Sequence, residues 1–558
     1  MVPKDIFSWY EANLPLKERK VRGHFSTPPL LVEQILDACG YCPEDDLSRI
    51  RVLDPACGSG NFLAGVARRL VASGNHMGLS RAAVRASVQR NIWGFDPDPV
   101  ACFLAEMQLR TILTDESMQH EGVAKDVADS AAEDQHLSLH IHQADGLAFP
   151  WDAYEGVDLF LANPPYLAAK NSDLSCYSFA QGRGQADSYL LFLDLALQVV
   201  RPGGWIALVL PDPVLARSNA AHERQRLLQE TTVHALWHLS GVFSAFVGAV
   251  VIIAQKVPPS RLHQIPWVRT KWTSLAMRAG ASPAPTEQTR CISQSLLLQR
   301  SGAELRYLLS EVQGTLLEQL HAHFCAVAQK QQQPNFARLG DLVAVRRGEE
   351  LGKEHPFLLK TLPGDGQACY PVLRGGVDVR PYAMPIGHCW IAHDKIVKPL
   401  ERYHAPKLLV VKSTGYLQAT LDCKNHIVLQ TLYLLNLRPG GTEDDLYFLL
   451  ALLNSRLLRE YMYVLHTAYK WVQPQIEQHV LADLPVPTIA SVERQQIVRQ
   501  AKLLIRACSE QPPVVEFEKQ YKEMYEEQER AICTLYAEAL SADAVGIAGQ
   551  ALPTDVGG

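Results

Sequence analysis

Four apolar segments in the first third of the chain each end on a polar side chain, and this pattern constrains the fold more than any other feature. The segments lead into Asp54, Asp96, Asp145 and Asn163, and they alternate with amphipathic helical segments. Alternating strands and helices predict an α/β fold with a mostly parallel, doubly wound sheet. Ligands bind such sheets beyond the carboxyl ends of the strands, where these four side chains would lie.

The first strand continues through a Gly-x-Gly turn into a helix, in the run Asp54-Pro55-Ala56-Cys57-Gly58-Ser59-Gly60. Glycines let a ligand approach the backbone closely. The turn lacks the lysine of a phosphate-binding loop and the third glycine of the dinucleotide fingerprint. A zwitterionic ligand therefore fits better than a polyphosphate, with Asp54 accepting from an ammonium group.

The next two strand ends each carry an acid. Asp96, after the second strand, has the usual place of a partner for ribose hydroxyls. Asp145, after the third, can accept from a purine amine. Either acid alone could be a helix cap, so the prediction depends on their recurrence together with the glycine turn.

The fourth strand ends in Asn163-Pro164-Pro165-Tyr166. The prolines have no N–H, so the amide oxygen of Asn163 and a neighbouring backbone carbonyl form a pair of acceptors. Tyr166 adds an aromatic face. Together they suit a planar ring with an exocyclic amine, whereas a simple Pro-Pro turn is the alternative interpretation of the tetrapeptide alone.

Composition adds limits on location and metal content. The 558 residues carry a formal charge of −6, without an N-terminal leader pattern or an apolar run of membrane-spanning length, so we expect a cytoplasmic protein. The 12 scattered cysteines are typical of reduced thiols. Cys39 and Cys42 form a lone C-x-x-C, and we expect no metal site.

The second half of the chain differs in charge. Residues 338–412 contain twelve Lys or Arg and eight Asp or Glu, a net +4 against −6 for the whole chain. Interleaved basic, aromatic and hydrogen-bonding residues suit nucleic-acid binding, although a solvated basic surface is an equal alternative on charge alone.

The order of the segments over residues 20–256 resembles the gamma class of S-adenosylmethionine-dependent adenine-N6 DNA methyltransferases. In that class a Thr-Pro segment comes first, the glycine turn next, and Asn-Pro-Pro-Tyr later. The resemblance implies a Rossmann-like, seven-stranded sheet, S-adenosylmethionine as cofactor, and methyl transfer to N6 of an adenine flipped out of double-stranded DNA. It implies these cofactor-binding residues: Thr27, Asp54, Ala56, Gly58, Gly60, Phe62, Asp96 and Asp145.

The same resemblance assigns catalysis to Asn163, Pro164, Pro165 and Tyr166, and it implies that Tyr166 and Phe243 stack on the target base. The chain departs from the family after Asp145. Gly146 and Leu147 stand where related enzymes often carry an aromatic residue, and Phe149 is a candidate to stack on the cofactor adenine instead.

Looser motifs in the second half resemble the target-recognition domains of fused restriction-modification methylases and type I specificity subunits. They imply DNA contacts by Arg346, Arg347, Arg374, Arg380 and Lys412. The predicted organisation is an N-terminal extension (1–19), a methyltransferase domain (20–256), a linker and spacer helix (257–335), an α+β target-recognition domain (336–490), a helical segment (491–540) and a flexible tail (541–558).

Other functions stay open at this point. By resemblance, the Asn-Pro-Pro-Tyr signature also occurs in enzymes that methylate a protein glutamine amide or an RNA base, but a second, mildly basic domain favours DNA. A fused or partnered restriction subunit, and a non-catalytic specificity or scaffold subunit, are further alternatives. We expect a restriction-modification or phage-defence system, with its other subunits as further partners.

Overall fold

The protein was analysed as a computed structural model, which describes residues 26–114, 138–151, 156–166, 174, 177, 187–242, 248–271, 289–305, 320, 335–362, 368–467, 475–489, 491–511 and 517–540. Contacts divide the chain into two units, Met1–Tyr307 and Leu308–Gly558. The predicted N-terminal extension, Phe243 and the predicted tail lie outside the described residues.

A nine-stranded sheet forms the centre of the first unit, in the order β3-β2-β1-β4-β5-β7-β6-β8-β9. Strands β3, β2, β1, β4 and β5 pair in parallel with one another, and β7 is antiparallel to both β5 and β6. This confirms the predicted mostly parallel sheet. The strands are β1 Val52–Asp54, β2 Ile92–Asp96, β3 His140–Gln143, β4 Val157–Ala162, β5 Val200–Pro211, β6 Thr232–Ser240, β7 Ala249–Gln255, β8 Gln264–Lys271 and β9 Thr289–Ser293.

The last two strands correct the predicted domain boundary and strand number. The sequence suggested seven strands and a linker from residue 257, but β8 pairs in parallel with β6, and β9 pairs antiparallel with β8. Ile265 and Trp267 on β8 are fully buried, so this segment completes the core. In the region of the predicted linker and spacer helix, the helix Gln294–Gln299 ends at Gln299, and Gly302 beyond it has φ +62°.

The helices of the first unit connect the strands as a doubly wound fold requires. The helix between β1 and β2 starts directly after Gly60, whose φ is +92°. A Cβ at Gly60 would lie 2.8 Å from the Cβ of Ala105, so glycine allows two helices to pack closely. The helices are α1 Pro29–Ala38, α2 Asn61–His76, α3 Arg81–Asn91, α4 Pro99–Thr114, α5 Ser188–Val199, α6 Ala221–Glu230 and α7 Gln294–Gln299.

The second unit is α+β, as predicted, and combines small sheets with helices. Its four-stranded sheet has the order β11-β17-β14-β15, its three-stranded sheet the order β13-β12-β16, and β10 pairs with β18. The strands are β10 Phe336–Arg338, β11 Val343–Arg347, β12 Cys369–Leu373, β13 Cys389–Ala392, β14 Lys407–Val411, β15 Ala419–Asp422, β16 Ile427–Val428, β17 Leu432–Leu437 and β18 Pro485–Pro487.

Leucine-rich helices pack on one another and on the four-stranded sheet to form the larger core of this unit. Among the residues that the structure describes, no helix is both long and apolar enough to span a membrane. The helices are α8 Leu339–Leu342, α9 Glu443–Asn454, α10 Arg456–Met462, α11 Gln478–Ala482, α12 Val492–Glu510, α13 Phe517–Gln520 and α14 Lys522–Leu540.

Candidate active site

A cavity of about 280 Å³ lies in the first unit where β1, β2, β3 and β4 end. Each of the four strand ends supplies a predicted residue to its wall: Asp54, Asp96, Asp145 and Asn163. The other residues that line the cavity are Ser26, Thr27, Pro55, Ala56, Cys57, Gly58, Asn61, Phe62, Pro97, Gly146, Leu147, Pro165, Leu174, Tyr177, Ser188 and Phe192.

Asp54 at the end of β1 is a buried carboxyl group, 1% exposed. Its Oδ1 accepts a hydrogen bond of 3.1 Å from the Ala56 N–H, and the described residues form no ion pair with it. Burial raises the pKa of Asp54 to about 8, and the nearby Asp96 carboxylate adds to the rise. The carboxyl group therefore holds its proton at pH 7, and a ligand cation beside it would favour the ionised form.

Asp96 ties the glycine turn to the end of β2. Its Oδ2 accepts from the Gly58 N–H at 3.0 Å, and its Oδ1 accepts from the Asp98 N–H at 2.8 Å. The Cys57 N–H donates to the Phe95 carbonyl at 2.9 Å across the same junction. These hydrogen bonds from backbone N–H groups fix the glycine turn at the cavity. Gly60 packs closely against Ala105 and is not among the residues that line the cavity.

The segment before α1 closes another side of the cavity. Thr27 is 3% exposed, and its Oγ1 finds no hydrogen-bond partner among the described residues. The Asn61 side-chain amide donates to the Thr27 carbonyl at 2.9 Å and joins this segment to the start of α2. A buried hydroxyl group that lacks a partner at a cavity wall indicates a place for a polar ligand atom.

Asp145 lies at the end of the cavity formed by the β3 loop. Its Oδ1 accepts from the Leu147 N–H at 3.0 Å, and the Tyr177 hydroxyl donates to its Oδ2. A Cβ at Gly146 would lie 2.1 Å from the Pro55 carbonyl oxygen, which excludes any larger side chain at this position.

Phe149 is part of an aromatic cluster with Phe95 and Trp151. Its ring packs 4.8 Å from the rings of both Phe95 and Trp151, and it is not among the residues that line the cavity. Its stacking on the cofactor adenine therefore stays a prediction.

The Asn163-Pro164-Pro165-Tyr166 segment lies at the opposite end. The Tyr166 hydroxyl is 3.2 Å from Asn163 Oδ1 and 3.2 Å from the Val209 carbonyl oxygen. Burial raises the pKa of Tyr166 well above its usual value, and the Asp212 carboxylate adds to the effect, so the hydroxyl group remains a donor. The Ser188 hydroxyl donates to the Pro165 carbonyl at 2.5 Å. Pro164 and Tyr166 are not among the lining residues, so stacking by Tyr166 stays a prediction.

The sequence did not reveal several of the polar and aromatic lining residues, among them Asn61, Tyr177, Ser188 and Phe192. Ser188 and Phe192 share one face of α5, which the sequence showed only as an apolar helix. Asn61 directly follows the glycine turn, so its place in the sequence could have indicated it. Tyr177 reaches Asp145 from 32 positions away, and nothing local marks it.

The predicted DNA-binding residues differ in their surroundings. Arg346 and Arg347 on β11 are exposed, as is Arg380, while Lys412 is half-buried. Arg374 forms a two-pronged ion pair with the buried Asp378 carboxylate, at 2.9 and 3.0 Å. This pairing gives Arg374 a role within the unit that the sequence did not reveal, and its contact with DNA stays a prediction. In the described ranges no cluster of three or more His, Cys, Asp or Glu is placed to hold a metal ion.

Comparison with known proteins agrees with this geometry. Residues 4–265 match the family model described as N-6 DNA Methylase, and residues 370–486 match the TaqI-like C-terminal specificity domain. The type II methyltransferase M.VspI of Vibrio sp. (strain 343) is 24% identical over 213 residues, 38% of this chain and 42% of the relative. M.XhoI of Xanthomonas vasicola is 27% identical over 199 residues, 34% of each chain. The matches thus span less than half the length of these curated relatives.

Two solved structures show a similar fold at low sequence identity. The type IIL restriction-modification enzyme MmeI in complex with DNA has a TM-score of 0.61 at 12% identity and covers 95% of this chain and 78% of its own. A DrdV–DNA complex has a TM-score of 0.52 at 12% identity and covers 89% of this chain and 58% of its own. Residues 4–265 of this chain thus match the N-6 DNA methylase model, and residues 370–486, in the second unit, match the TaqI-like C-terminal specificity domain.

Proposed function

We propose that the chain is a site-specific DNA methyltransferase, which transfers a methyl group from S-adenosylmethionine to the N6 amine of adenine in double-stranded DNA. The observation that carries the proposal is that Asn163 shares one cavity with Asp54, Gly58 and Asp96. A methyl donor and an acceptor amine must meet in one space, and this cavity joins the two predicted half-sites. The family match supports the same activity.

The cavity walls suit S-adenosylmethionine. Asp54 would accept from its ammonium group, and the unpartnered Thr27 hydroxyl would bind its amino-acid end. Asp96 would face the ribose hydroxyls and Asp145 the adenine amine. When bound, the sulfonium group supplies an activated methyl group that needs no covalent help from the protein.

The protein's task is to make a poor nucleophile reactive. The lone pair of an adenine amine is delocalised into the ring until two acceptors hold its protons. We assign these acceptors to Asn163 Oδ1 and the Pro164 carbonyl, and Tyr166 and Phe243 would hold the ring, so that the amine would be positioned beside the methyl donor. The Tyr166 hydroxyl has two acceptors within reach, Asn163 Oδ1 and the Val209 carbonyl, so it can turn to Val209 when the amine arrives.

A base inside a duplex cannot enter this cavity and must be flipped out, which costs a few kcal/mol. The second unit would supply part of the binding free energy through its exposed basic residues Arg346, Arg347 and Arg380. We place the protein in the prokaryotic cytoplasm, bound to the nucleoid through DNA, in a restriction-modification or phage-defence system whose other subunits are its further partners.

An Asn163→Ala variant tests the proposal. It should lower N6-methyladenine formation by ~100-fold or more, because one of the two charge-stabilising acceptors is lost. Binding of S-adenosylmethionine, measured by calorimetry, should remain unchanged. Asn75→Ala is the matched control, since Asn75 on α2 does not line the cavity. Near-normal methylation by Asn163→Ala would contradict the assigned mechanism.

A further inference from the structure

A purine bound in a protein needs a flat apolar face and an acceptor for its amine. At the Asp145 end of the cavity, the acceptor is present, but the residues directly after it offer no ring. Position 146 is restricted to glycine, because the Pro55 carbonyl oxygen would lie 2.1 Å from any Cβ there. Leu147 lines the wall with an aliphatic side chain. Three of the described lining residues carry a benzene ring, Phe62, Tyr177 and Phe192, and Tyr177 is the one whose hydroxyl donates to Asp145. The aromatic face must therefore come from a part of the chain other than the β3 loop.

Tyr177 is placed to supply it. It lines the cavity, and its hydroxyl donates to Oδ2 of Asp145. Its N–H donates to the carbonyl of Leu174 at 3.2 Å, and Leu174 lines the same cavity. The two residues thus form a local turn whose side chains reach the wall beside the β3 loop.

The hydroxyl group and an adenine amine do not compete for the carboxylate. Each carboxylate oxygen has two acceptor sites. The Leu147 N–H uses one site on Oδ1 and the Tyr177 hydroxyl one site on Oδ2. Acceptor capacity remains for an amine, and the two protein donors hold the carboxylate plane in a fixed orientation.

We propose that Tyr177 is a further cofactor-binding residue, whose ring forms a wall for the adenine of S-adenosylmethionine and whose hydroxyl orients Asp145 toward the adenine amine. This inference depends on the proposed function. It assigns two roles to one side chain, stacking by the ring and orientation of Asp145 by the hydroxyl group, and substitutions can remove each role separately.

The test measures the binding of two ligands by calorimetry: S-adenosylhomocysteine, and S-inosylhomocysteine, in which a carbonyl replaces the amine. Tyr177→Leu removes the ring and should weaken both ligands about tenfold or more, the loss typical of a base–aromatic stack. Tyr177→Phe keeps the ring and removes the hydroxyl. It should weaken only S-adenosylhomocysteine, by about three- to tenfold, as expected for one lost hydrogen bond.

Phe103→Leu is the control, because Phe103 on α4 is 61% exposed and does not line the cavity. Full-length protein is used throughout, and unfolding temperatures show whether each variant is folded. If Tyr177→Leu does not fold, Tyr177→Phe still tests the hydroxyl. If the wild type binds the ligands and both Tyr177 variants bind them with the same affinity, this inference is overturned and the proposed function is not. Wild-type protein that binds neither ligand would overturn the proposed function as well.

Discussion

The two units each bury a carboxyl group completely, and they treat it in opposite ways. In the second unit, Asp422 is 0% exposed and lies 2.6 Å from Lys407 Nζ and 2.8 Å from His426 Nδ1. Burial acts to raise the pKa of Asp422, but the His426 hydrogen bond and the Lys407 ammonium together hold it below its usual value. In the first unit, the described residues give Asp54 no such cation, and burial raises its pKa to about 8.

The difference distinguishes a structural charge from a binding charge. The Lys407 ammonium also donates to the carbonyls of Tyr403 at 2.7 Å and Lys424 at 2.9 Å, so the group is complete without any ligand. Asp54 lines a cavity and receives one backbone N–H. A buried acid that receives no counter-ion from the described residues, such as Asp54, therefore suits the binding of a cationic ligand group.

The largest effect is expected when the buried group of Lys407, Asp422 and His426 is disrupted. Lys407→Met would leave the Asp422 charge buried without its main partner and should destabilise the protein by about 3–5 kcal/mol. Chemical denaturation measures this loss. The control is Lys502→Met, because Lys502 pairs with Asp444 at the surface and its side chain is 48% exposed, so less than ~1 kcal/mol should be lost. Equal losses of stability in the two variants would contradict the structural role of Lys407.

Asp54→Asn should affect binding and leave the unfolding free energy nearly unchanged. The amide oxygen can still accept from the Ala56 N–H, but the attraction for a ligand ammonium is lost. We expect S-adenosylmethionine affinity to fall by ~10–100-fold, as for a hydrogen bond to a charged group. Asp98→Asn is the matched control, since Asp98 does not line the cavity. Unaltered affinity in Asp54→Asn would show that this acid does not bind the ammonium.

The smallest and most specific effect is a proton released on binding. With a pKa raised to about 8, Asp54 is mostly protonated at pH 7, and it must ionise to pair with an ammonium. Affinity should therefore rise nearly tenfold from pH 6 to pH 7, below the range in which the ligand's own amine titrates. Calorimetry in two buffers of different ionisation enthalpy should show close to one proton released. Asp54→Asn should show neither effect, and a pH-independent affinity in the wild type would contradict the raised pKa.

The same comparison explains what could be predicted from sequence. The acids at the ends of β1, β2 and β3 directly follow or closely follow their strands in the sequence, so a local pattern revealed them and the fold together. Lys407 and Asp422 come together only through pairing of β14 with β15, and Tyr177 meets Asp145 only through tertiary packing. No local pattern carries such contacts.

One error in the predicted fold, and one ion pair that the sequence did not reveal, have related causes. Strands β8 and β9 were missed because prolines and a run of small residues suggested a linker, whereas the burial of Ile265 and Trp267 is decided by the sheet edge they extend. The ion pair of Arg374 with Asp378, four residues later, was likewise not apparent from the sequence, and the contact of Arg374 with DNA stays a prediction. Charge alone does not distinguish an internal partner from an external one.

The central claim is that the cavity joins a methyl donor to an adenine amine. The most direct test is to incubate the purified chain with duplex DNA and S-adenosylmethionine labelled in its methyl group, and to digest the DNA to nucleosides. We expect the label in N6-methyldeoxyadenosine, and its loss in Asn163→Ala. Label found instead in RNA or in a protein glutamine amide, or none in DNA although the chain binds S-adenosylmethionine, would contradict the account.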